Sequence, residues 1–578
     1  MKLQTLVFED EQRKRDLYYQ SNNNIKVISK EKIEISKDTN LFLGTYFNGF
    51  SGTRWLRYTN IKDLWLSFIV KGNCTISVLR KYLKDGMEKT EVVLTKSVSE
   101  KNNASYQWKC CDSIKYGLYC IEITTNNSEQ AIISNLNYET KSIEPRNIGL
   151  TVVICTYKRE RFVKRNIEKI KNAFLDNPNA DIHNNLELLI IDNGNSLTEE
   201  DICSESVFLY PNQNTGGTGG FSRGIIEAIH RKKQEDGRYI ILMDDDIELE
   251  TEVLNRTYTL LGALKEEFYS SFLGGSMLRL DNPCILEEWA GVWKNKIKSI
   301  GKGKNLKNIN NLLLTDYFEE GNYNAWWFCC IPLNVINNKN LPMPFFIHGD
   351  DIEYGLRNCE KIIHLNGIGV WHSVFENKRP SNLEYYDVRN FMIINSIYCQ
   401  DFFGFKSGIS LLKRCIANLM RMRYKDVELN MLGAYDFLKG PENWNQINII
   451  EKHNQIIQLG YQFKYIEGLE KIDRVNSVNK FLSMITLNGA FLPKAKKPKV
   501  IFCGDEPYKL FCTQEAFLYE PDSDTAIHVT FSLKKVLELS IKVIFVLSKF
   551  IVQYKNVRKL YKEQSSYLKT ERYWEQYM

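Results

Sequence analysis

The alternation of apolar and polar positions divides the chain into three textures. Up to about residue 146, short runs alternate with a period of two. Leu64-Trp-Leu-Ser-Phe-Ile-Val70 and Cys74-Thr-Ile-Ser-Val-Leu79 are rich in β-branched and aromatic residues and bounded by Gly, Asn and Asp, which predicts strands packed as a β-sandwich. From about residue 147, buried runs alternate with helical periodicity. Thr151-Val-Val-Ile-Cys155, Leu186-Glu-Leu-Leu-Ile-Ile191 and Tyr239 to Met243 read as strands, and between the last two Phe221, Ile225, Ala228 and Ile229 recur at helical spacing. That alternation predicts an α/β unit on a mostly parallel sheet. Beyond about residue 395 the pattern turns helical, most clearly over Leu411 to Met420.

The last long apolar run, Leu533 to Val552, predicts an amphipathic helix. Lys535, Glu538, Lys542 and Lys549 share one face, opposite Val536, Leu539, Val543, Ile544 and Leu547. Lys542 and Lys549 leave too short a charge-free stretch to span a bilayer. Three uses remain open for such a helix: packing on the protein's own core, a homo-oligomer interface, or peripheral association with a membrane surface.

Length and composition refine this division. A chain of 578 residues exceeds what one hydrophobic core supports, and the textures place three units at 1–146, 147–395 and 396–578. Apolar content of 43% and charged content of 25% are ordinary for globular proteins. A net charge of +6 argues against a nucleic-acid partner, so the run Lys494-Ala-Lys-Lys-Pro-Lys499 reads as a solvated linker. Fourteen cysteines without metal-ligand spacing read as reduced thiols. The first residues, MKLQTLVFEDEQRKRD, lack the apolar core of a signal peptide, and a cytoplasmic location is expected.

Candidate chemistry concentrates at the strand exits, where open α/β sheets bind ligands. After the first strand comes Thr156-Tyr157-Lys158-Arg159, and after the second Asp192-Asn193-Gly194. After the third comes the triplet Asp244-Asp245-Asp246. Carboxylates are hard ligands for Mg²⁺ or Mn²⁺, and alternation points Asp244 and Asp246 the same way, which makes them candidate metal ligands; a solvated acidic turn is the alternative. Asp192 can accept from a nucleotide base or ribose, or cap a helix. Asn214-Thr-Gly-Gly-Thr-Gly-Gly220 opens a helix and is expected to bring backbone amides close to an anionic ligand, although its spacing is neither a P-loop nor a dinucleotide fingerprint.

A second acidic cluster, His348-Gly349-Asp350-Asp351-Ile-Glu353, precedes Trp371-His372. Glu353 and Arg357 stand four apart and can pair on a helix, which leaves Asp351 as the better general base. His372 either completes a metal site or packs in the core. Trp289, Trp293, Trp326 and Trp327 offer flat faces suited to sugar rings, though at least one of the adjacent pair must fill core.

Together with Thr45-Tyr-Phe-Asn48, Trp55-Leu-Arg-Tyr-Thr59 and Tyr385-Tyr386-Asp-Val-Arg389-Asn390, these motifs in this order resemble the bacterial galactofuranosyltransferases that polymerise cell-wall galactan, a branch of the inverting GT-A glycosyltransferases. The resemblance covers most of the chain, and the C-terminal helices carry no matching motif. It implies an α/β GT-A (Rossmann-like) catalytic domain between an N-terminal β-sandwich and a C-terminal helical region. It further implies that Asp244, Asp246 and His372 hold Mn²⁺ or Mg²⁺ on the diphosphate of UDP-galactofuranose, and that Asp351 deprotonates the acceptor hydroxyl. Thr156, Arg159, Asp192 and Asn214 would line the uridine and ribose pocket, with Asp245 and Asp350 beside the ribose or sugar. Glu288 and Trp327 would face the acceptor, a glycan or glycolipid. The alternatives are the same fold with a rhamnosyl or glucosyl nucleotide, a sugar nucleotidyltransferase, or a non-catalytic carbohydrate-binding scaffold.

Overall fold

The computed structural model describes residues 1–231, 237–374, 379–399, 404–466, 480–520 and 523–578, with the side chains of 404 and 405 excepted. The N-terminal part is β-rich, as its alternation predicts. Its longest hairpin joins Leu64–Lys84 to Met87–Cys111 through the two-residue turn Asp85-Gly86, both at positive φ (52° and 75°). That is the mirror-image turn whose twist matches the flanking strands, and Asp-Gly is among its preferred pairs. The first of these strands serves two neighbours. Residues 65–72 pair with Ala131–Glu139, and residues 75–81 pair with Leu118–Thr124. Gly72, at φ 102°, marks the change of partner, since a Cβ there would lie 2.1 Å from the Gln130 carbonyl oxygen. The ten strands therefore form one continuous hydrogen-bonded sheet rather than two separate ones.

The central part is built on a seven-stranded sheet. Its strands run in the order Val207–Pro211, Leu186–Asp192, Gly149–Thr156, Arg238–Asp244, Cys329–Pro332, Phe272–Gly274, Ile362–Ile363. The first four are parallel. Chain order reverses on either side of Gly149–Thr156, so the switch point opens between Thr156 and Asp244, the crevice where such sheets bind ligands. Helix Gly216–Arg231 packs against the first two of these strands in chain order. A smaller sheet, which includes Ile285–Glu288, Ser276–Arg279 and Gly369–His372, stands beside it.

The C-terminal part packs helices Ser381–Tyr398, Gly404–Met420, Tyr424–Leu438 and Leu533–Gln564 together. Two features depart from the expected division. Helix Ser381–Tyr398 runs across residue 395, and a three-stranded sheet of Lys499–Phe502, Glu515–Glu520 and Thr525–Thr530 interrupts the helices. These strands, of four to six residues, are too short for a strong period-two signal.

Neither end is a free appendage. The amide of Thr5 donates to Glu252 (3.0 Å), and the Lys14 ammonium meets Glu248 (2.7 Å). At the other end the Trp574 indole donates to the Pro342 carbonyl (3.1 Å). The last residues thus close on the segment that precedes the second acidic cluster.

Candidate active site

Asp244 ends its strand, and the next residues turn so that three carboxylates meet different partners. Asp245 points inward, where its oxygens accept from Thr156 Oγ1 (2.7 Å) and Arg159 Nη1 (3.1 Å). Asp246 receives the same guanidinium at 2.7 Å and faces His372 Nε2 at 3.2 Å, and Asp244 lies 3.9 Å from that nitrogen. One ligand atom from each of Asp244, Asp246 and His372 lies within 4.8 Å of the other two. A reciprocal pair of backbone hydrogen bonds between Glu248 and Trp371 (2.8 and 3.1 Å) locks the strand bearing His372 to the chain just past the triplet. The other ring nitrogen of His372, Nδ1, sits 2.6 Å from the Ser373 carbonyl, so Nδ1 carries the proton when the ring is neutral and Nε2 is left as a ligand atom.

The N-terminal sheet supports this arrangement from behind. The Phe47 ring packs 5.5 Å from that of Trp371, and the Lys14 ammonium lies 5.0 Å over the same indole. Thr45-Tyr-Phe-Asn48 is thus a buttress for the histidine.

Crowded acids without a cation take up protons. Burial, with the neighbouring carboxylates, pushes Asp244 up to about 7 despite His372. Burial would raise Asp246 too, yet the hydrogen bond and charge of His372, with Arg159, bring it down to about 2. Burial opposes the charge on His372, and the two acids outweigh it, leaving the imidazole raised. Two carboxylates and an imidazole make a donor set suited to a divalent ion, and here a proton on His372 holds part of that charge.

The second acidic cluster opens helix Asp350–Asn358, whose N-cap Gly349 lies at φ 86°. Phe346 and His348 are also left-handed (φ 72° and 63°), a costly backbone for residues with a Cβ. Asn390 holds it. Its side-chain amide donates to the carbonyls of Phe345 (3.3 Å), Ile347 (2.9 Å) and His348 (2.8 Å), and Arg389 donates to Phe345 (2.8 Å). The turn presents Asp350 to Thr218 Oγ1 (2.6 Å), which joins the acidic helix to the glycine-rich helix. Asp351 accepts from the Ile352 amide (2.8 Å) and forms no ion pair among the described residues. Burial and the charge of Asp350 push its carboxyl up to about 8. Glu353, by contrast, is fixed by Arg357 (2.9 Å) and Tyr398 (2.6 Å), the structural part its spacing suggested.

Glu288 is buried, accepts from the Ser299 hydroxyl, and has one oxygen without a protein partner; burial pushes it up to about 7. Its charge reaches both Asp351 and Tyr323. Cys155, in the strand between these groups, has its thiol raised first by burial and then by Asp245, Asp244, Asp192 and Asp350. Acids of both clusters thus act on Cys155.

Against known proteins, residues 151–297 match the family model for glycosyl transferase family 2, and residues 6–135 match that for the galactofuranosyltransferase 2 N-terminal region. Residues 151–297 are thus similar to glycosyl transferase family 2. The galactofuranosyltransferase GlfT2 of Mycolicibacterium smegmatis is 24% identical over 446 residues, covering 72% of this chain and 66% of its own. That of Mycobacterium tuberculosis is 24% identical over 464 residues, covering 72% and 68%. The chain therefore spans about two thirds of the length of these relatives. Among solved structures, a TmCBM61 complex with β-1,4-galactotriose covers 21% of this chain and 88% of its own at 7% identity, with a TM-score of 0.15, too low to bear on the fold.

The α/β GT-A sheet gathers most residues singled out from the sequence. Thr156, Arg159 and Asp245 form one hydrogen-bonded group, Asp244, Asp246 and His372 form a compact donor set, and the charges of Asp350 and Glu288 both act on Asp351. Others are placed differently from expectation. Both oxygens of Asp192 are engaged by backbone amides, of Gly194 (2.8 Å), Ser196 (2.6 Å) and Leu197 (2.8 Å), so the carboxylate shapes its own loop instead of facing open space. Asn214 accepts from the Gly216 amide (3.2 Å) and caps the glycine-rich turn. Trp289, Trp293, Trp326 and Trp327 are all buried, and the Trp327 indole donates to the Gly275 carbonyl (2.8 Å). They line core rather than forming an exposed sugar platform.

The glycines are also corrected. A Cβ on Gly224 would lie 2.1 Å from Val153 Cγ1, one on Gly220 2.1 Å from Cys155 Sγ, and one on Gly216 2.0 Å from the Phe346 carbonyl oxygen, whereas Gly217 has nothing within 4 Å. Gly220 and Gly224 let the helix approach its own sheet, and Gly216 lets it approach the turn at Phe346. Gly224→Ala should therefore cost about 1–3 kcal/mol by overpacking against a stiff β-branched side chain, and Gly217→Ala should leave the melting temperature unchanged or slightly raised. Thermal denaturation of both variants decides this, and equal melting temperatures would contradict the packing account.

Sequence reasoning gave no role to three asparagines. Asn193 and Asn212 bond to each other (2.8 Å), Asn193 reaches the Gly216 carbonyl (2.9 Å), and Asn166 donates to the carbonyl of Asp245 (2.9 Å). Their one available signal was position, directly after strands or on the first helix, where an amide with both donor and acceptor groups can hold a loop.

Proposed function

We propose that this chain is an inverting hexosyltransferase that moves galactofuranose from UDP-galactofuranose to a growing, lipid-linked cell-surface glycan, with Mn²⁺ or Mg²⁺. The observation that carries the reading is the separation of two acidic sites at one crevice. Asp244, Asp246 and His372 make a compact donor set, while Asp351 stands apart from any ion pair with a raised carboxyl. A divalent ion held by the first group supplies positive charge to a diphosphate leaving group. Asp351 accepts the proton as an acceptor hydroxyl oxygen attacks the anomeric carbon. The sugar–phosphate bond breaks with its electron pair passing to UDP, so no acid of raised affinity is needed on the leaving side.

Thr156 and Arg159 orient the loop beside the nucleotide, Asp192 and Asn214 shape its floor, and Asp245 and Asp350 lie toward the sugar. Glu288, with its unpartnered oxygen, faces the acceptor side. The names of the two mycobacterial relatives support galactofuranose as the sugar. No helix among the described residues is long and apolar enough to cross a membrane. A cytoplasmic enzyme acting on lipid-linked acceptors therefore works at a membrane surface.

Transfer measured over a panel of UDP- and dTDP-sugars, with and without Mn²⁺, tests the reading. Turnover of UDP-galactofuranose should exceed that of other donors. A preference for a rhamnosyl or glucosyl nucleotide would replace the donor and keep the chemistry. Nucleotidyl transfer without glycosyl transfer would overturn it.

A further inference from the structure

Helix Ser381–Tyr398 carries Glu384, Asp387 and Asn390 three residues apart, and so on one side. Asn390 holds the backbone of the turn that precedes Asp350, and Asp387 holds a side chain of it, with Oδ1 2.8 Å from His348 Nδ1. The other oxygen of Asp387 accepts from Arg414 Nη2 (2.7 Å), and the same guanidinium donates through Nε to Glu384 (2.6 Å). Arg414 comes from the next helix, Gly404–Met420. Two further partners of Glu384, Asn418 and Asn430, are neutral amides, and Arg423, whose charge also reaches Glu384, is paired with Asp426. Two carboxylates thus meet one guanidinium, and the carboxylate side chains are only 8 and 16% exposed. An unbalanced charge at that depth is costly, and a proton on His348 balances it.

His348 stands three residues before Asp351, and its charge reaches both Asp350 and Asp351. The proton transfer assigned to Asp351 does not use this imidazole, yet the protein fixes it with a left-handed backbone (φ 63°) and a carboxylate. Burial opposes the charge on His348, and Asp387, Asp350 and Asp351 outweigh it. Burial would also raise Asp387, but the charges of Arg414 and His348 bring it well below the ordinary carboxylate range. Around Asp351, the charges of Asp350 and of Glu288, on strand Ile285–Glu288, oppose its ionisation, and His348 favours it. Burial keeps Tyr323 and Cys329 protonated. His453, from helix Ile449–Leu459, stacks on Phe346 at 4.0 Å and is brought down to about 4 by burial, so it adds no charge near neutral pH.

We propose that His348 is a positioning residue for the transfer: held as a cation by Asp387 and Arg414, it sets the pH range in which Asp351 acts as a base. The proposal deepens the reading of Asp351 as the general base and rests on it. An opposite charge at close range favours the ionised carboxylate, so the imidazolium keeps part of Asp351 free of its proton near neutral pH, against burial and Asp350. The arrangement also ties the chemistry of the central part to the C-terminal helices, which supply Asp387 and Arg414. A histidine that only braced the turn would do so in either protonation state, by donating Nδ1–H to Asp387, and its charge would have no consequence for Asp351.

Transfer rates of the full-length protein measured across pH give the test. His348→Gln and Asp387→Asn should move the rising limb assigned to Asp351 upward by about one pH unit, so that turnover at about pH 7 falls about tenfold and recovers at high pH. His348→Lys keeps a cation at this position, and its limb should stay near that of the wild type. An unmoved limb in the Gln variant, or one displaced as far in the Lys variant, would overturn the proposal. The charge is also read without turnover, from the ring-carbon resonances of isotope-labelled histidine in wild-type protein, with the His348 signal identified by its loss in the Gln or Lys variant. That ring should remain protonated above about pH 7, higher than an ordinary histidine, and a ring already neutral there would equally overturn the proposal. Absence of transfer by the wild type would count against the enzymatic reading alone, and the histidine signal would still decide whether His348 is held as a cation.

Discussion

Replacing Asp351 by Asn is expected to lower glycosyl transfer by about 10²–10⁴-fold, the usual contribution of a positioned general base. Donor binding should persist, because Asp351 lies outside the Asp244–Asp246–His372 group. The pH behaviour separates a base from a merely structural acid. Burial and Asp350 push Asp351 up to about 8, so wild-type turnover should rise with pH toward that value, and the Asn variant should lose this limb. Stability should move the other way. The folded protein holds this proton up to about pH 8, whereas the unfolded chain releases it near pH 4, so the residue's contribution to stability falls as pH rises between these values. The Asn variant should then be more heat-stable than wild type at pH 8, with the difference closing toward pH 4. A variant equally active, or less stable at pH 8, would remove Asp351 from the role assigned to it.

The second large effect concerns the cation. Chelation should abolish transfer, and Mn²⁺ or Mg²⁺ should restore it in wild type but not in Asp246→Asn or His372→Ala. Titration calorimetry offers a readout apart from activity. Mn²⁺ affinity should increase as pH rises through about 7, because the proton on Asp244, held up to about 7, and that on the raised His372 must leave before the ion can bind. A saturating ion, at about a hundred times its dissociation constant, should add about 2.7 kcal/mol to wild-type stability and little to either variant. Without the ion the pair acts through protons, with opposite signs. The lowered Asp246 stabilises the fold above about pH 4, and this is lost as pH falls toward 2. The raised His372 stabilises it below about pH 6.5, and this is lost as pH climbs past the folded value. Full activity after chelation, or pH-independent Mn²⁺ binding, would refute the assignment.

Much of the site was legible because its residues sit where backbone periodicity fixes their direction. Strand exits at Thr156, Asp192 and Asp244 follow from apolar runs long enough to identify. Asp351 stood out by elimination, once the four-residue spacing of Glu353 and Arg357 assigned that acid to an ion pair. The tryptophans and glycines were harder, since a flat ring or a missing Cβ serves a ligand and a core equally well in one dimension. Gly224 against Val153, and Trp327 against Gly275, are contacts between segments about 50 to 70 residues apart in the chain. Ile544, which is 66% exposed, was misplaced for a related reason. Its helix has two apolar sides, and periodicity alone does not say which one meets the protein.

The sequence by itself determined the order of β-rich, α/β and helical parts, the strands of the parallel sheet and the acids at their ends, because these depend on local alternation and on which residue types can bind a cation or a proton. Tertiary structure decided which acids act together. His372 reaches Asp246 only because Glu248 and Trp371 pair across more than a hundred residues, with the N-terminal Phe47 and Lys14 packed behind that tryptophan. The helix that carries Asp351 starts where it does only because Asn390 holds a left-handed turn that its own residues would not favour. Such couplings arise from packing between distant segments, which no local pattern encodes.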